Sequence, residues 1–318
     1  MGRFALRWGL RLLGPALLAY ILWRNQEQLP LIWDTLRNLN WPPMLLAIVL
    51  MAPFVLLKGW RWKLILQDLG HDAPWSKLSF YYVLGIFLGA AMPGQAGDFL
   101  KAWYLKEDGC DLGAALLSTV IDRLFDMLII GLLALSGIYI LWRFLPGVGL
   151  VVTLVGMLAA IAFFLSVLLS RRWRDWLIDR VLRYLIPASV RRILGEHGVR
   201  AYLDRFFLSW RNVALGTVVS LCSFAITFYR LWLCLPALGK TLPIGVFIPT
   251  MALMALGSLL SVAGLGTRTA VLLAILSAPA LGWTTAEILS LDALILFFSI
   301  ENLIVGLPFY LFRPLGNR

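Results

Sequence analysis

Three charged residues within five positions, Asp122, Arg123 and Asp126, interrupt an apolar stretch that runs from Leu112 to Trp142. Asp122 falls about ten residues into that stretch. At about 1.5 Å per residue this is roughly 15 Å, half the hydrocarbon thickness of a bilayer. An isolated charge at that depth costs at least about 2.5–3.5 kcal/mol. Arg123 and Asp126 are three apart, so they are expected to pair on one helix face. Asp122 and Asp126 share a face, and two carboxylates there need a second cation, which Lys101 or Arg268 could supply. Two kinds of chemistry suit such residues. Lys101, Arg123 and Arg268, with Gln95 and Asp98 beside them, are candidates for binding an anionic substrate. Asp122, Asp126 and Glu301 are candidates for relaying protons or charge. The competing reading, that these charges only lock helices together, stays open for Asp122, Asp126 and Glu301 alike. Arg230, near the end of its apolar stretch, is expected to snorkel to the interface.

These residues need elements to hold them, and composition says which kind. The chain has 318 residues, of which 61% are hydrophobic and 14% charged. A soluble globular protein carries about 25% charged residues. Several apolar stretches approach or exceed about 18 residues, which predicts an all-α, polytopic membrane protein in one transmembrane domain. The formal net charge is +11. In this context it fits the positive-inside rule and anionic headgroups, not nucleic acid. Three cysteines and two histidines show no metal or disulfide spacing, so neither a metal nor another cofactor is expected. No cleavable leader stands out at the N-terminus. No Gly-x-Ser-x-Gly, no phosphate-binding Gly-Lys-Ser/Thr loop and no metal-spaced His/Cys set appears, so hydrolytic and nucleotide-driven chemistry are not expected and the protein is expected not to be an enzyme.

The apolar pattern predicts a first helix over about 4–23, then a loop of balanced charge with Arg24, Glu27, Asp34 and Arg37. A second helix opens at Pro42 and Pro43 and reaches about Leu57. Lys58, Arg61, Lys63 and Lys77 fall in the next connection. Residues 78–142 then form a broken segment and a long helix, with the break at Pro93, Gly94 and Gly97. Residues 148–169 make another span. Ten arginines lie between Arg171 and Arg211, interleaved with Trp173, Trp176, Leu177 and Val181 at helical spacing. That segment reads as a basic interfacial helix or a basic cytoplasmic loop. A span over 213–235 follows. Residues 244–312 repeat the earlier pattern, with a break at Gly264 and Gly266 and a last long helix.

Charge sets the orientation. With the N-terminus, the Lys58 to Lys77 connection and the arginine-rich segment inside, only two full spans lie between the last two. The first broken segment must therefore begin and end inside, and by the same count the second must begin and end outside. The expectation is about six spanning helices and two re-entrant hairpins arranged as an inverted repeat, with both termini cytoplasmic in the plasma (inner) membrane. Paired interrupted segments in corresponding halves mark the binding site of many transporters. Broken backbone at membrane depth survives only where protein or a wet cavity surrounds it.

The stretch MPGQAGDFLKAW followed by STVIDRLFDML resembles the transmembrane domain of the lysylphosphatidylglycerol synthase/flippase family, the flippase-like domain proteins. That family shows Pro-x-Arg-x-Gly-Glu-x-x-Arg and then Glu-Arg-x-x-Asp. The matching positions are Pro93, Gln95, Gly97, Asp98 and Lys101, then Asp122, Arg123 and Asp126. A later Gly-Gly-x-Gly-x-Arg-Glu element is similar to residues Ala263 to Thr269. Gln95 stands where the family has an arginine and Thr269 where it has a glutamate. Lys101 keeps the charge of an arginine without its planar fork. The resemblance implies the flippase half alone, without an aminoacyl-transfer domain. It implies movement of an anionic lipid across the bilayer, either an aminoacylated phospholipid or a polyprenyl-phosphate carrier, with envelope-glycan or lipid-modifying enzymes as partners. The other class that fits is a membrane-embedded enzyme or accessory subunit of lipid-linked glycan synthesis, for which Asp98, Asp108 and Asp111 are the grouped acids.

Overall fold

The computed structural model of the chain describes residues 18–90, 98–141, 209–258 and 264–314, with isolated positions between 155 and 176. Pro93, Gly94, Gln95 and Gly97, the first helix up to residue 17, the expected span over 148–169 and nearly all of the basic segment 171–211 lie outside these residues. The described chain is all-helical. Residues 18–24 are helical. There follow α1 (Leu29–Arg37), α2 (Trp41–Val49), α3 (Met51–Asp68), α4 (Trp75–Ala90), α5 (Lys101–Glu107), α6 (Leu112–Leu141), α7 (Trp210–Trp232), α8 (Cys234–Ala237), α9 (Ile244–Ser258), α10 (Thr267–Leu276) and α11 (Thr285–Phe312). Among the described residues, three helical stretches are long and apolar enough to cross a membrane: Trp41–Asp68, Trp210–Ala237 and Thr285–Phe312. α6, with 30 residues, has a length of about 45 Å.

Two expectations about element boundaries are corrected. The balanced-charge loop after the first helix contains α1, in which Ile32 is buried while Leu29, Leu31 and Trp33 are exposed. The second helix does not end at Leu57. α2 and α3 run almost continuously to Asp68, so Lys58 and Arg61 lie inside the helix and not in a connection. A hydropathy window stops at a pair of cations. The helix continues because both cations are buried and paired.

Two units share one wiring pattern. In the first, α3 packs on α4, and the seven-residue α5, which follows residues 91–97, packs on the long α6. In the second, α7 is followed by α9 and, after residues 259–263, by the ten-residue α10, which packs on the long α11. At about 1.5 Å per residue, α5 and α10 are only about 10 and 15 Å long. The units are laced together: α4 packs on α11, and α9 packs on α6. Gly306 of α11 lets Phe87 of α4 approach so closely that a Cβ there would lie 2.3 Å from the phenylalanine's own Cβ. Close approach through small residues is the usual means of helix contact where lipid offers no hydrophobic drive. Each unit has its own apolar core, one around Trp62, Tyr82 and Tyr104, the other around Phe247, Met251, Leu272 and Leu291.

The turns of the two units sit at opposite ends of α11. Arg313, just past its C-terminus, bonds Asp108 at 2.8 Å, beside the Gly109 turn. Lys77 meets the same carboxylate at 2.7 Å. Gly282 immediately precedes the N-terminus of α11, where a Thr284–Glu287 capping box starts the helix and Lys240 reaches Glu287 at 2.6 Å.

Candidate functional site

The charged residues singled out in the sequence converge, but with partners that the sequence did not assign. Asp122 is fully buried on α6. It accepts from Arg61 Nε at 2.8 Å, from Lys101 Nζ at 2.8 Å and from Tyr82 Oη at 3.1 Å. Arg61 also bridges to Asp126 and to Ser220 Oγ, at 2.5 and 2.8 Å, and donates to the Asp122 carbonyl at 3.0 Å. Lys58 completes the set by bonding Asp126. Its ammonium lies 4.9 Å from the Phe224 ring centroid, a second favourable contact for a desolvated cation. One turn of α3 spaces Lys58 and Arg61 three apart, and one turn of α6 spaces Asp122 and Asp126 four apart, so two rows of opposite charge face each other.

Arg123 is not primarily the partner of Asp126. Its guanidinium holds Asp98 at 2.5 and 2.7 Å, while Asp126 is 3.9 Å away. The reason is geometric. Asp98 comes in from outside the helix and presents its carboxylate to the fork, whereas Asp126 is already turned toward α3. Lys101 joins Asp98 at 3.1 Å as well as Asp122. Gly85 of α4 makes room for this: a Cβ there would lie 2.6 Å from Asp98 Oδ1. Of the two cations offered for the Asp122–Asp126 pair, Lys101 takes the role and Arg268 does not.

Arg268, the second residue of α10, pairs instead with Asp292 on α11, and Thr269 donates to the same carboxylate at 2.6 Å. Thus Thr269, where the resembled family has a glutamate, is itself a ligand of the acid. Arg230 does not snorkel. It is buried on α7 and bonds Glu301 at 2.5 Å and the Ala47 carbonyl at 2.7 Å. The acid on α11 gives the guanidinium a better partner at depth than water at the interface.

Lys58, Arg61 and Arg230 are therefore members of the network that hydropathy alone placed elsewhere. A signal was present. Two carboxylates on one face of α6 demanded cations, and the i, i+3 pair at 58 and 61 borders an apolar run. Gly264 and Gly266 adopt φ of 73° and 74°, the left-handed region glycine tolerates, as α10 begins.

Between the units lies a cavity of about 400 Å³, within the range of small-molecule and cofactor sites. Among the described residues, six charged side chains line it: the cations Lys58, Arg123, Arg230 and Arg268 and the acids Asp98 and Asp126. Asp122, Asp292 and Glu301 stand behind that wall and do not line it. The wall is therefore net cationic, four against two. Apolar residues make up much of the remainder, including Phe54, Ile86, Phe224 and Leu231. Among the described residues, no group of three or more His, Cys, Asp or Glu side chains could hold a metal.

At the end of the bundle that carries Arg313, burial opposes ionisation of Asp108. Hydrogen bonds from Arg313, Lys77 and Tyr81 outweigh it and hold the carboxyl down at about 2. The grouped acids considered for an enzyme reading each have a structural task. Asp98 is held by Arg123, Asp108 ties the Gly109 turn to Arg313, and Asp111 caps α6 through the Gly113 N–H at 2.7 Å.

A helical membrane protein whose two units enclose a charged cavity is the class that these features define. Within that class, the chain belongs to the family described as the lysylphosphatidylglycerol synthase TM region, whose model matches residues 11–306. It is similar to a UPF0104 membrane protein of Methanothermobacter thermautotrophicus, with 25% identity over 277 residues and 78% of each chain covered. No solved structure matches it.

Proposed function

We propose that this protein is a lipid transporter of the flippase type, moving an anionic lipid between the leaflets of the plasma (inner) membrane, and that it is not an enzyme. The observation that carries this is the cavity. Its cations face inward while three of their counter-charges sit behind them, and its apolar wall suits acyl or prenyl chains. Lys101, the cation first assigned to substrate, is fully buried between Asp98 and Asp122. In this reading it positions those acids, and Lys58, Arg123, Arg230 and Arg268 meet the headgroup.

The transport reading includes two re-entrant hairpins, α4–α5 and α9–α10, opened from opposite faces as an inverted repeat, with both termini cytoplasmic. Support comes from the shortness of α5 and α10 and from the two turns lying at opposite ends of α11. Each short pair also packs on the long helix of the other unit, an arrangement that would let one unit rock against the other around a fixed site.

The test is transbilayer movement in liposomes containing the purified protein and a labelled anionic lipid. Faster movement than in empty liposomes is expected, and it should be lost in Arg268→Gln. No movement above empty liposomes, across phosphatidylglycerol and polyprenyl-phosphate probes, would overturn the proposal.

A further inference from the structure

Among the described residues, four buried side-chain oxygens have no hydrogen-bond partner, and two of them belong to acids: Asp98 Oδ1 and Glu301 Oε1. The two acids differ in their cations. Asp98 meets both Arg123 and Lys101 through its other oxygen. Glu301 meets Arg230 alone, at 2.5 Å through Oε2. Asp122 and Asp126 each face at least two cations, and Asp292 has both oxygens bonded, one by Arg268 and the other by Thr269. A proton arriving at Asp122 or Asp292 would have to displace a donor. At Glu301 Oε1 there is none to displace. Glu301 is buried on α11, and the cavity beside it is lined by Arg230 and by the neighbouring Ser299 and Asn302.

We propose that Glu301 is a proton site coupled to the cavity: it takes up one proton when an anionic headgroup engages Arg230 and releases it when the headgroup leaves. This rests on the transport reading and adds proton coupling to it. With Glu301 ionised, an arriving anion puts two negative groups against one guanidinium in a low dielectric, and their repulsion opposes binding. A proton from water on Oε1 removes one of the two. Oε2 still accepts from the guanidinium, so Arg230 keeps its place, held also by the Ala47 carbonyl at 2.7 Å and by the Phe298 ring, 4.7 Å away. Uptake relieves Glu301 as well, because an unpaired oxygen costs more on a charged group than on a neutral one. A monoanion and a proton loaded together carry no net charge, and a proton gradient would drive the pair.

The other titratable groups around Glu301 have engagements of their own. α11 packs on α1, α4, α8 and α10. On α4, Tyr82 bonds Asp122, and Tyr81 and Lys77 bond Asp108. On α10, Arg268 bonds Asp292. On α8, the Cys234 thiol contacts the Arg230 carbonyl at 3.9 Å. Asp34 and Arg37 of α1 are exposed. Lys58 of α3, which also lines the cavity, is held by Asp126.

The experiment follows binding of short-chain phosphatidylglycerol to purified protein in uncharged detergent from about pH 5 to about pH 8. This probe is a phosphodiester that keeps one negative charge throughout, so a pH dependence belongs to the protein. Lipid prefers the protonated site, so lipid and proton favour each other's binding. Wild type should bind more tightly as pH falls, by up to about tenfold per pH unit, the limit for one linked proton. Glu301→Gln, which keeps the neutral shape, should bind at every pH as wild type does at low pH. Glu301→Asp keeps a titrating carboxyl and should keep a slope. Infrared difference spectra give a second readout. Adding lipid at constant pH should raise the C=O band of a protonated carboxyl in wild type and not in Glu301→Gln.

Equal binding across the pH range, or a lipid-induced carboxyl band that never appears in wild type, overturns the inference and leaves the transport reading standing. A slope that persists in Glu301→Gln places the proton elsewhere and overturns it too. So does loss of binding in a Glu301→Gln protein that thermal unfolding shows to be folded, because the charge of Glu301 would then be required. If Glu301→Gln does not fold, Glu301→Asp decides: the band must shift in frequency, and an unshifted band overturns the assignment. Glycerophosphoglycerol, the headgroup without chains, should bind more weakly than the lipid. Equal binding would make the ligand a soluble anion and overturn the lipid reading. Binding of no lipid by wild type at any pH overturns the transport reading and the inference together.

Discussion

Asp122 in the first unit accepts hydrogen bonds from Arg61, Lys101 and Tyr82, whereas Glu301 in the second has Arg230 as its cation and a second oxygen, Oε1, without a hydrogen-bond partner. The wiring is otherwise parallel. A cation on the helix that opens each unit reaches an acid on the unit's long helix: Arg61 to Asp126, and Arg230 to Glu301. A cation on the short helix after each break reaches the other acid: Lys101 to Asp122, and Arg268 to Asp292. The units differ in redundancy. The first is a lattice of four cations and three acids in which most groups have two partners. Among the described residues, the second shows two ion pairs, Arg230 with Glu301 and Arg268 with Asp292. A lattice resists rearrangement, because moving any one member strands its neighbours in a low dielectric.

The largest test of the comparison is all-or-none. Single cysteines are placed at the Gly109 and Gly282 turns of a variant lacking Cys110, Cys222 and Cys234. A membrane-impermeant thiol reagent added outside should label the second position and not the first. Outside labelling at the Gly109 turn would end the reading of the two units as inverted copies.

A graded test follows. Arg61→Met removes one of the two cations on each of two buried carboxylates, Asp122 and Asp126, and should cost about 3–5 kcal/mol of stability, the range for breaking a buried charge pair. Arg230→Met removes the cation from one carboxylate, Glu301, and should cost about 1–3 kcal/mol. Thermal unfolding in detergent reads both. Equal losses would mean that the second pair is as deeply committed to the fold as the lattice.

The smallest effect is expected at the tie between Asp108 and Arg313, outside the charged cavity. Its carboxyl is held below the ordinary 3.8, at about 2. A depressed carboxyl contributes stability that is complete above its unfolded value and is lost as pH falls through the folded one. The melting temperatures of wild type and Asp108→Asn should therefore differ by a small, constant amount above pH 3.8 and converge toward pH 2. A gap that persists at pH 2 would show that packing, not charge, makes the tie.

Much of this was legible in the chain. The apolar runs and the acids on the long helices follow from local composition, and the family resemblance rests on motifs around those positions. The sequence also showed that Asp122 and Asp126 needed cations. It misplaced Lys58 and Arg61 in a connection, because hydropathy scores a charge as if it faced water. It left Arg230 at an interface for the same reason. What sequence by itself determined is that the long apolar runs are helical and that Asp122 and Asp126 within one of them need cations, since both follow from neighbours along the chain. What only the tertiary structure decided is who neutralises whom. Arg123 faces Asp98 and not Asp126, and Arg268 faces Asp292 and not the first unit, because counter-charges on different helices are matched by packing, and packing is set by contacts far apart in the chain.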